Sequence, residues 1–165
     1  MGVETSLILM LKALLLLVTA NGAPVLVSAF AGRRVAEPID GSFKFGDGRP
    51  LFGVSKTWLG LFVSLTATIA IAFALGYSLI TGALFATASM VGDLLASFCK
   101  RRFGWAEGTH VRGLDTVPES ILPLLVLQSQ LSLGWIEIGL VIGAFFVLEE
   151  GVSPVLFRLH LRNRP

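Results

Sequence analysis

Apolar residues run through this chain in long blocks, separated by short stretches that carry nearly all of its charge. Five blocks, over residues 4–27, 58–76, 77–98, 118–134 and 135–157, approach the length a helix needs to cross a hydrocarbon core of about 30 Å. None shows the strict alternation of a membrane barrel strand. The pattern predicts an all-α integral membrane protein with five transmembrane helices in a single polytopic domain over residues 1–165. Gly76-Tyr77 is all that separates the second block from the third, so those two form an antiparallel helical hairpin. Gly134-Trp135 does the same between the fourth and fifth, with the tryptophan at interface depth. The fourth block is the weakest, being short and carrying Gln128, Ser129, Gln130 and Ser132.

Composition agrees: 54% of the 165 residues are hydrophobic and 15% are charged, against about 25% charged in soluble domains. Mean hydropathy is +0.79. A net charge of +2 gives no argument for binding nucleic acid. A single cysteine, Cys99, and two histidines rule out an internal disulfide and offer no zinc-ligand spacing. The first block ends near Ala20-Asn21-Gly22-Ala23 like a secretory signal, but Glu4 replaces a basic leader and Lys12 falls inside the run. It is read as a retained first span.

The placement of lysine and arginine sets an orientation. Of 13 such residues, five lie in 28–57, four in 99–117 and three in the C-terminal tail, leaving only Lys12. With five spans these regions share one side, which the positive-inside rule makes cytoplasmic, with the N-terminus outside and cytoplasmic loops over 28–57 and 99–117.

The candidate chemistry collects at those loops. In Gly92-Asp93-Leu94-Leu95-Ala96-Ser97-Phe98-Cys99-Lys100-Arg101-Arg102, Asp93, Ser97, Lys100 and Arg101 stand at i, i+4, i+7 and i+8 and share one helix face. An acid within an apolar span is costly and reads by default as functional. The plain alternative is a cationic membrane anchor with Asp93 paired internally. Asp115 is the second acid near this face; it is a metal ligand or an N-cap, with Pro118 in the first turn beyond it. Two carboxylates brought together would suit Mg²⁺, which prefers oxygen ligands and substrate phosphates. Loop 28–57 is rich in glycine, yet Gly53-Val54-Ser55-Lys56-Thr57 places two residues where a P-loop has none. Leu51 stands where a dinucleotide fingerprint needs its third glycine. What remains is a permissive backbone with nearby cations, able to wrap a phosphate chain or simply to be solvated. Glu149 and Glu150 in the last block either line a cavity or pair with cations such as Lys12.

Gly92-Asp93-Leu94-x-x-Ser97-x-x-Lys100-Arg101, with Asp115 and Pro118 downstream, resembles the cytidylyltransferases that activate lipid phosphates, among them the bacterial CDP-diacylglycerol synthases. A closer resemblance is to the archaeal CDP-archaeol synthases, carried by Asn21, Pro24 and Gly48-Arg49-Pro50-Leu51-Phe52-Gly53-x-x-Lys56-Thr57-Trp58-x-Gly60. The likeness covers nearly the whole chain. It implies that Asp93 and Asp115 coordinate Mg²⁺ and that Lys56, Lys100 and Arg101 hold phosphates. It implies a nucleotide pocket including Lys44 and Asp47, with Thr57, Ser97, Arg102 and Arg112 as further nucleotide- or phosphate-binding candidates. The substrates it implies are CTP and a prenylated glycerol phosphate lipid. Val111-Arg112-Gly113-Leu114 departs from the Gly-His-Gly-Gly stretch of the bacterial enzymes. The competing readings are a CDP-diacylglycerol-type synthase on another lipid phosphate, a different lipid-phosphate transferase, and a small transporter subunit using Asp93, Glu149 and Glu150 as pathway charges. The aspartate cluster of a CDP-alcohol phosphatidyltransferase is absent from the sequence.

Overall fold

A computed structural model describes residues 3–31, 37–107, 109, 111 and 113–158. The helices are α1 (Val3–Ala31), α2 (Trp58–Ala74), α3 (Leu79–Arg102), α4 (Thr116–Val126), the single turn α5 (Gln128–Leu131) and α6 (Trp135–Arg158). Among the described residues β pairing is limited to two isolated bridges, Pro38 with Thr57 and Lys44 with Pro50.

Helix α3 is central. It packs most extensively on α4 and also on α2, while α1 lies against α2 and α6. The buried interfaces hold small and hydroxylated residues, including Ala13, Ala20, Ser64, Thr68, Ala72, Ala86, Ser89 and Ser120. Large apolar side chains such as Leu11, Phe62, Ile80, Leu95, Leu140 and Val147 point outward. A buried apolar cluster including Leu16, Leu17, Phe85, Leu124 and Leu131 lies beside them, and the outward apolar side chains suit a lipid environment; so much exposed apolar surface would be untenable in water. By length and composition 3–29 and 79–102 are able to cross a membrane; α2, with 17 residues, and α4, with 11, are apolar but shorter.

The joints follow from local chemistry. Pro24 lies inside α1 and has no N–H for the carbonyl of Ala20. The Ser64 hydroxyl of α2 donates to that oxygen at 2.7 Å. Asn21 donates to Leu17 O at 3.0 Å and accepts from Ser89 of α3 at 3.1 Å, so the Asn-Pro pair ties three helices together. Gly76, at φ +87°, ends α2, with Tyr77 N–H reaching back to Ala72 O at 2.9 Å. Ser78 then caps α3 by accepting from Thr81 N at 3.0 Å. The weak fourth block is broken in two: Pro123 lies inside α4, the chain unwinds at Leu127, and Ser132 adopts a left-handed conformation after α5.

Helix α3 begins at Leu79 and runs on through Lys100, Arg101 and Arg102, so the cation run is part of the helix that carries Asp93. Lys12, offered above as a partner for Glu149 and Glu150, meets the end of α2. Its ammonium donates to Leu75 O at 2.8 Å, at the carbonyl end of α2, and stands 5.5 Å from the centre of the Tyr77 ring.

Candidate active site

The site forms where α3 and α4 come closest. A side chain at Gly92 would strike the α4 backbone, with Glu119 Cα only 2.6 Å from the added carbon. The glycine before Asp93 thus lets the two helices touch and brings the following acid against the first turn of α4. Pro118 is accommodated there because first-turn N–H groups have no intrahelical acceptor.

Asp93 receives Lys56 through both carboxylate oxygens at 2.5 Å. Asp115 holds Lys100 at 2.5 Å. The Asp115 side chain does not cap α4; its other oxygen accepts from Val111 N at 3.0 Å, because the ion pair draws the carboxylate toward α3. Burial alone would lower the pKa of Lys56, but the charge of Asp93, their hydrogen bonds, and Glu119 and Asp115 beyond it raise it above the ordinary lysine value. Glu119, buried at 6% exposure, lies within electrostatic reach of Asp93, Glu149, Lys56 and Asp115. Glu149 accepts from the Thr116 hydroxyl. Four acids therefore share this junction with two lysines.

The other candidates are distributed more widely. Arg102 lies over Phe45 and Phe98, its guanidinium 4.7 and 5.1 Å from the ring centres, and the two rings meet edge to face at 5.7 Å. It pairs with Asp47 at 2.9 Å and donates to Pro50 O at 2.6 Å. Arg49 returns the connection by donating to Arg102 O at 2.9 Å and Arg101 O at 3.3 Å, at the end of α3. Arg102 and Asp47 thus form a clamp between loop and helix. Thr57 is the N-cap of α2, accepting from Gly60 N at 3.1 Å. Ser97 is buried at 3% exposure and Lys44 is exposed. Arg101, buried at 5%, donates to Ala106 O at 3.2 Å. Arg112 lies outside the described residues.

Sequence reasoning gave Glu119 no role. Its only signal was an acid beside a proline at the start of an apolar block, which reads equally well as a favourable first-turn charge. Arg49 enters the sequence reading as one of the loop cations and within the matching string, since no local pattern shows that its guanidinium would close a helix 52 residues away.

The family model for CDP-archaeol synthase (CarS-like) matches residues 6–164. The chain belongs to the CDP-archaeol synthase family. A CDP-archaeol synthase of Saccharolobus solfataricus is 34% identical over 137 residues, covering 78% of this chain and 81% of the relative. One of Pyrobaculum calidifontis is 32% identical over 154 residues, covering 88% and 90%. A solved structure, described as an intramembrane enzyme for archaeal membrane lipids biosynthesis, superposes with a TM-score of 0.71 at 25% identity, covering 92% of this chain and 94% of that one. This member of the CDP-archaeol synthase family is accordingly a membrane enzyme, a cytidylyltransferase acting on a lipid phosphate. The family separates it from the transporter reading.

Proposed function

We propose that this protein transfers CMP from CTP to 2,3-bis-O-(geranylgeranyl)-sn-glycerol 1-phosphate, giving the CDP-lipid and pyrophosphate, with Mg²⁺ as cofactor. The α3–α4 junction then lies at the cytoplasmic face of a five-span protein, with the N-terminus outside. The observation that carries this reading is the cluster of Asp93, Asp115, Glu119 and Glu149 against Lys56 and Lys100. Its all-oxygen donor set suits a hard divalent cation. Among the described residues no three such side chains converge as a ready-made cage. An ion there would be held by one or two carboxylates and completed by phosphate oxygens and water. Asp93 and Asp115 would hold it; when bound, it supplies charge neutralisation at the reacting phosphates.

The chain's own part is positioning. A lipid phosphate is already ionised at neutral pH, so its oxygen needs no strong base. It attacks the α-phosphorus of CTP, a new P–O bond forms, and the bond to the β-phosphate bridging oxygen breaks to release pyrophosphate. Two polyanions must be brought into line against their repulsion. Lys56 and Lys100 place ammonium groups on either side of the acids, as point charges for the lipid phosphate and the departing pyrophosphate. A cleft of about 130 Å³ between α2 and α3, lined by Leu61, Leu65, Met90 and Leu94 among others, offers an apolar surface for a prenyl chain.

The test is direct. Purified protein in detergent, given labelled CTP, Mg²⁺ and the digeranylgeranyl glycerol phosphate, should release pyrophosphate and form a CDP-lipid. Equal or faster turnover of a diacylglycerol phosphate would replace the substrate assignment with the CDP-diacylglycerol-type alternative. Full activity in chelator would remove Mg²⁺.

A further inference from the structure

We propose that the hairpin over residues 43–51 lies in the lipid head-group layer beside α3, with Phe43 as its apolar anchor and Lys44 on anionic head groups. The inference concerns a contact between loop and membrane and goes beyond the reaction. Along α3, Leu84, Val91 and Leu95 are exposed; they stand at i, i+7 and i+11 and form one outward stripe. Phe98 and Arg102, at i+14 and i+18, continue that stripe. There the hairpin packs: Phe45 meets Phe98 at 5.7 Å, and the Arg102 guanidinium lies 4.7 Å from the Phe45 ring centre. Asp93 projects about 200° away from Leu95 around the helix. The hairpin therefore covers the lipid side of α3, not the side that carries the acids.

Helix length sets the depth. The 24 residues of α3 rise about 36 Å, against about 30 Å of hydrocarbon. Measured from Leu79 at the far boundary, Phe98 falls about 29 Å along the helix and Arg102 about 35 Å, so the hairpin straddles the edge of the hydrocarbon and the head groups. Trp58 marks the same level. It is exposed, two residues from the lysine that reaches Asp93, and indoles concentrate at the membrane interface.

The hairpin's own chemistry fits that position. Phe45 N–H donates to Arg49 O at 2.8 Å and Leu51 N–H to Phe43 O at 3.1 Å, around a turn in which Gly48 takes φ +76°. Alternate residues of an extended strand share a face, so Phe43 lies on the side of Phe45 and Lys44 on the other, turned away from α3. Phe43 is 61% exposed and Phe45 is also exposed, and together they extend the lipid-facing stripe of α3. Asp47 is taken by Arg102 and Asp40 by three backbone N–H groups. Lys44 has no ion-pair partner among the described residues. An exposed phenyl beside an unpaired ammonium, at the depth of lipid phosphates, complements an anionic head-group layer in both polarity and charge. The same loop carries Lys56 to Asp93, so its grip on the head groups sets the depth at which that lysine works.

Phe43→Cys tests this, made with Cys99→Ser so that the chain has one cysteine, labelled with a nitroxide and placed in anionic phospholipid vesicles. The hairpin bonds of residue 43 are made by its backbone, so the variant should keep the turn and the Tm. The ratio of oxygen to nickel-chelate collisions should be at least about fivefold higher at 43 than at Glu107→Cys, beyond the end of α3, and should approach that at Leu95→Cys. A ratio at 43 equal to that at 107, in a protein with unchanged Tm, would overturn the inference. Adding Lys44→Gln should lower the ratio at 43 at least about twofold in anionic vesicles and leave it unchanged in zwitterionic ones. An equal fall in both, or none in either, would overturn the role of Lys44. Neither measurement needs turnover, so a water-exposed hairpin would leave the cytidylyl-transfer reading standing, and a different substrate would leave the hairpin where the label places it.

Discussion

Lys100, Arg101 and Arg102 are consecutive, yet the structure sends them to three different places. Lys100 joins the acid junction through Asp115. Arg102 joins the clamp, stacked on Phe45 and Phe98 and bound to the loop, and Arg101 lines a cavity between them. The cause is elementary: successive residues on a helix point about 100° apart, so a run of like charges meets different neighbours. The clamp and the junction differ in what they leave over. The clamp joins an arginine to an acid, to carbonyls and to aromatic faces, although the buried Nε of Arg102 has no hydrogen-bond partner. The junction keeps four acids with two lysines and has capacity for further charge. One region is built to hold a loop, the other to hold a ligand.

Asp93→Asn should break that contrast most severely. Product formation should fall at least about a hundredfold, while helical content and Tm in the same detergent stay near wild type. Wild-type turnover would end the metal and phosphate role of the junction. Gly92→Ala attacks the same region through packing alone. The added methyl has the α4 backbone in its way, so overpacking should cost about 1–3 kcal/mol and open the acid cluster. Thermal unfolding in detergent checks it, and an unchanged Tm would mean that the helices are not pressed together at Gly92.

These two neighbours also show how far the sequence could be read. Asp93 was legible because an acid in an apolar run breaks a strong pattern, and the i, i+4, i+7 spacing carries it to Lys100 on one face. The reason for Gly92 was not legible, because it lies in the backbone of a helix that follows a separate loop. The hairpin at Gly76 could be read from a glycine between two apolar runs. The division of the fourth block at Leu127 had a hint in its polar residues and Pro123, but a proline alone does not say whether a helix bends or stops. Glu149 was visible as a misplaced acid, whereas its partner Thr116 depends on how α4 and α6 meet. Local pattern reports cost, and tertiary contact decides how the cost is met.

Arg102→Ala sharpens the contrast from the clamp side. Losing the stacked guanidinium and its charged hydrogen bonds should cost about 1–3 kcal/mol, reduced by the 20% exposure of the side chain. Lysine should not restore it, since a point charge cannot stack and fork in the same way. The loop should become more sensitive to protease and KM for CTP should rise, with kcat within a few-fold of wild type. Lys100→Ala should show the opposite balance, with kcat falling more than the loop loosens. If Arg102→Ala instead removed kcat and left the loop intact, Arg102 would belong with the phosphate ligands.

The smallest effect concerns how loop 37–57 holds its own shape. Asp40 accepts from Ser42 N at 3.0 Å, Phe52 N at 2.9 Å and Gly53 N at 3.1 Å. Burial alone would raise its pKa, but these three N–H donors outweigh it and hold the carboxyl below its ordinary value. A carboxyl whose folded pKa is lowered stabilises the fold above its unfolded pKa of about 3.9, and that contribution is lost as pH falls through the folded value. Wild-type loop protection should therefore be flat from pH 7 to about pH 5 and decline below about pH 4, by about 1 kcal/mol. Asp40→Asn should be weaker at neutral pH and should lack that step. Hydrogen exchange at Phe52 and Gly53, corrected for the intrinsic pH dependence of the rate, reads both. Matching acid profiles in the two proteins would show that the loop is held by the Arg102 clamp and gains nothing from Asp40.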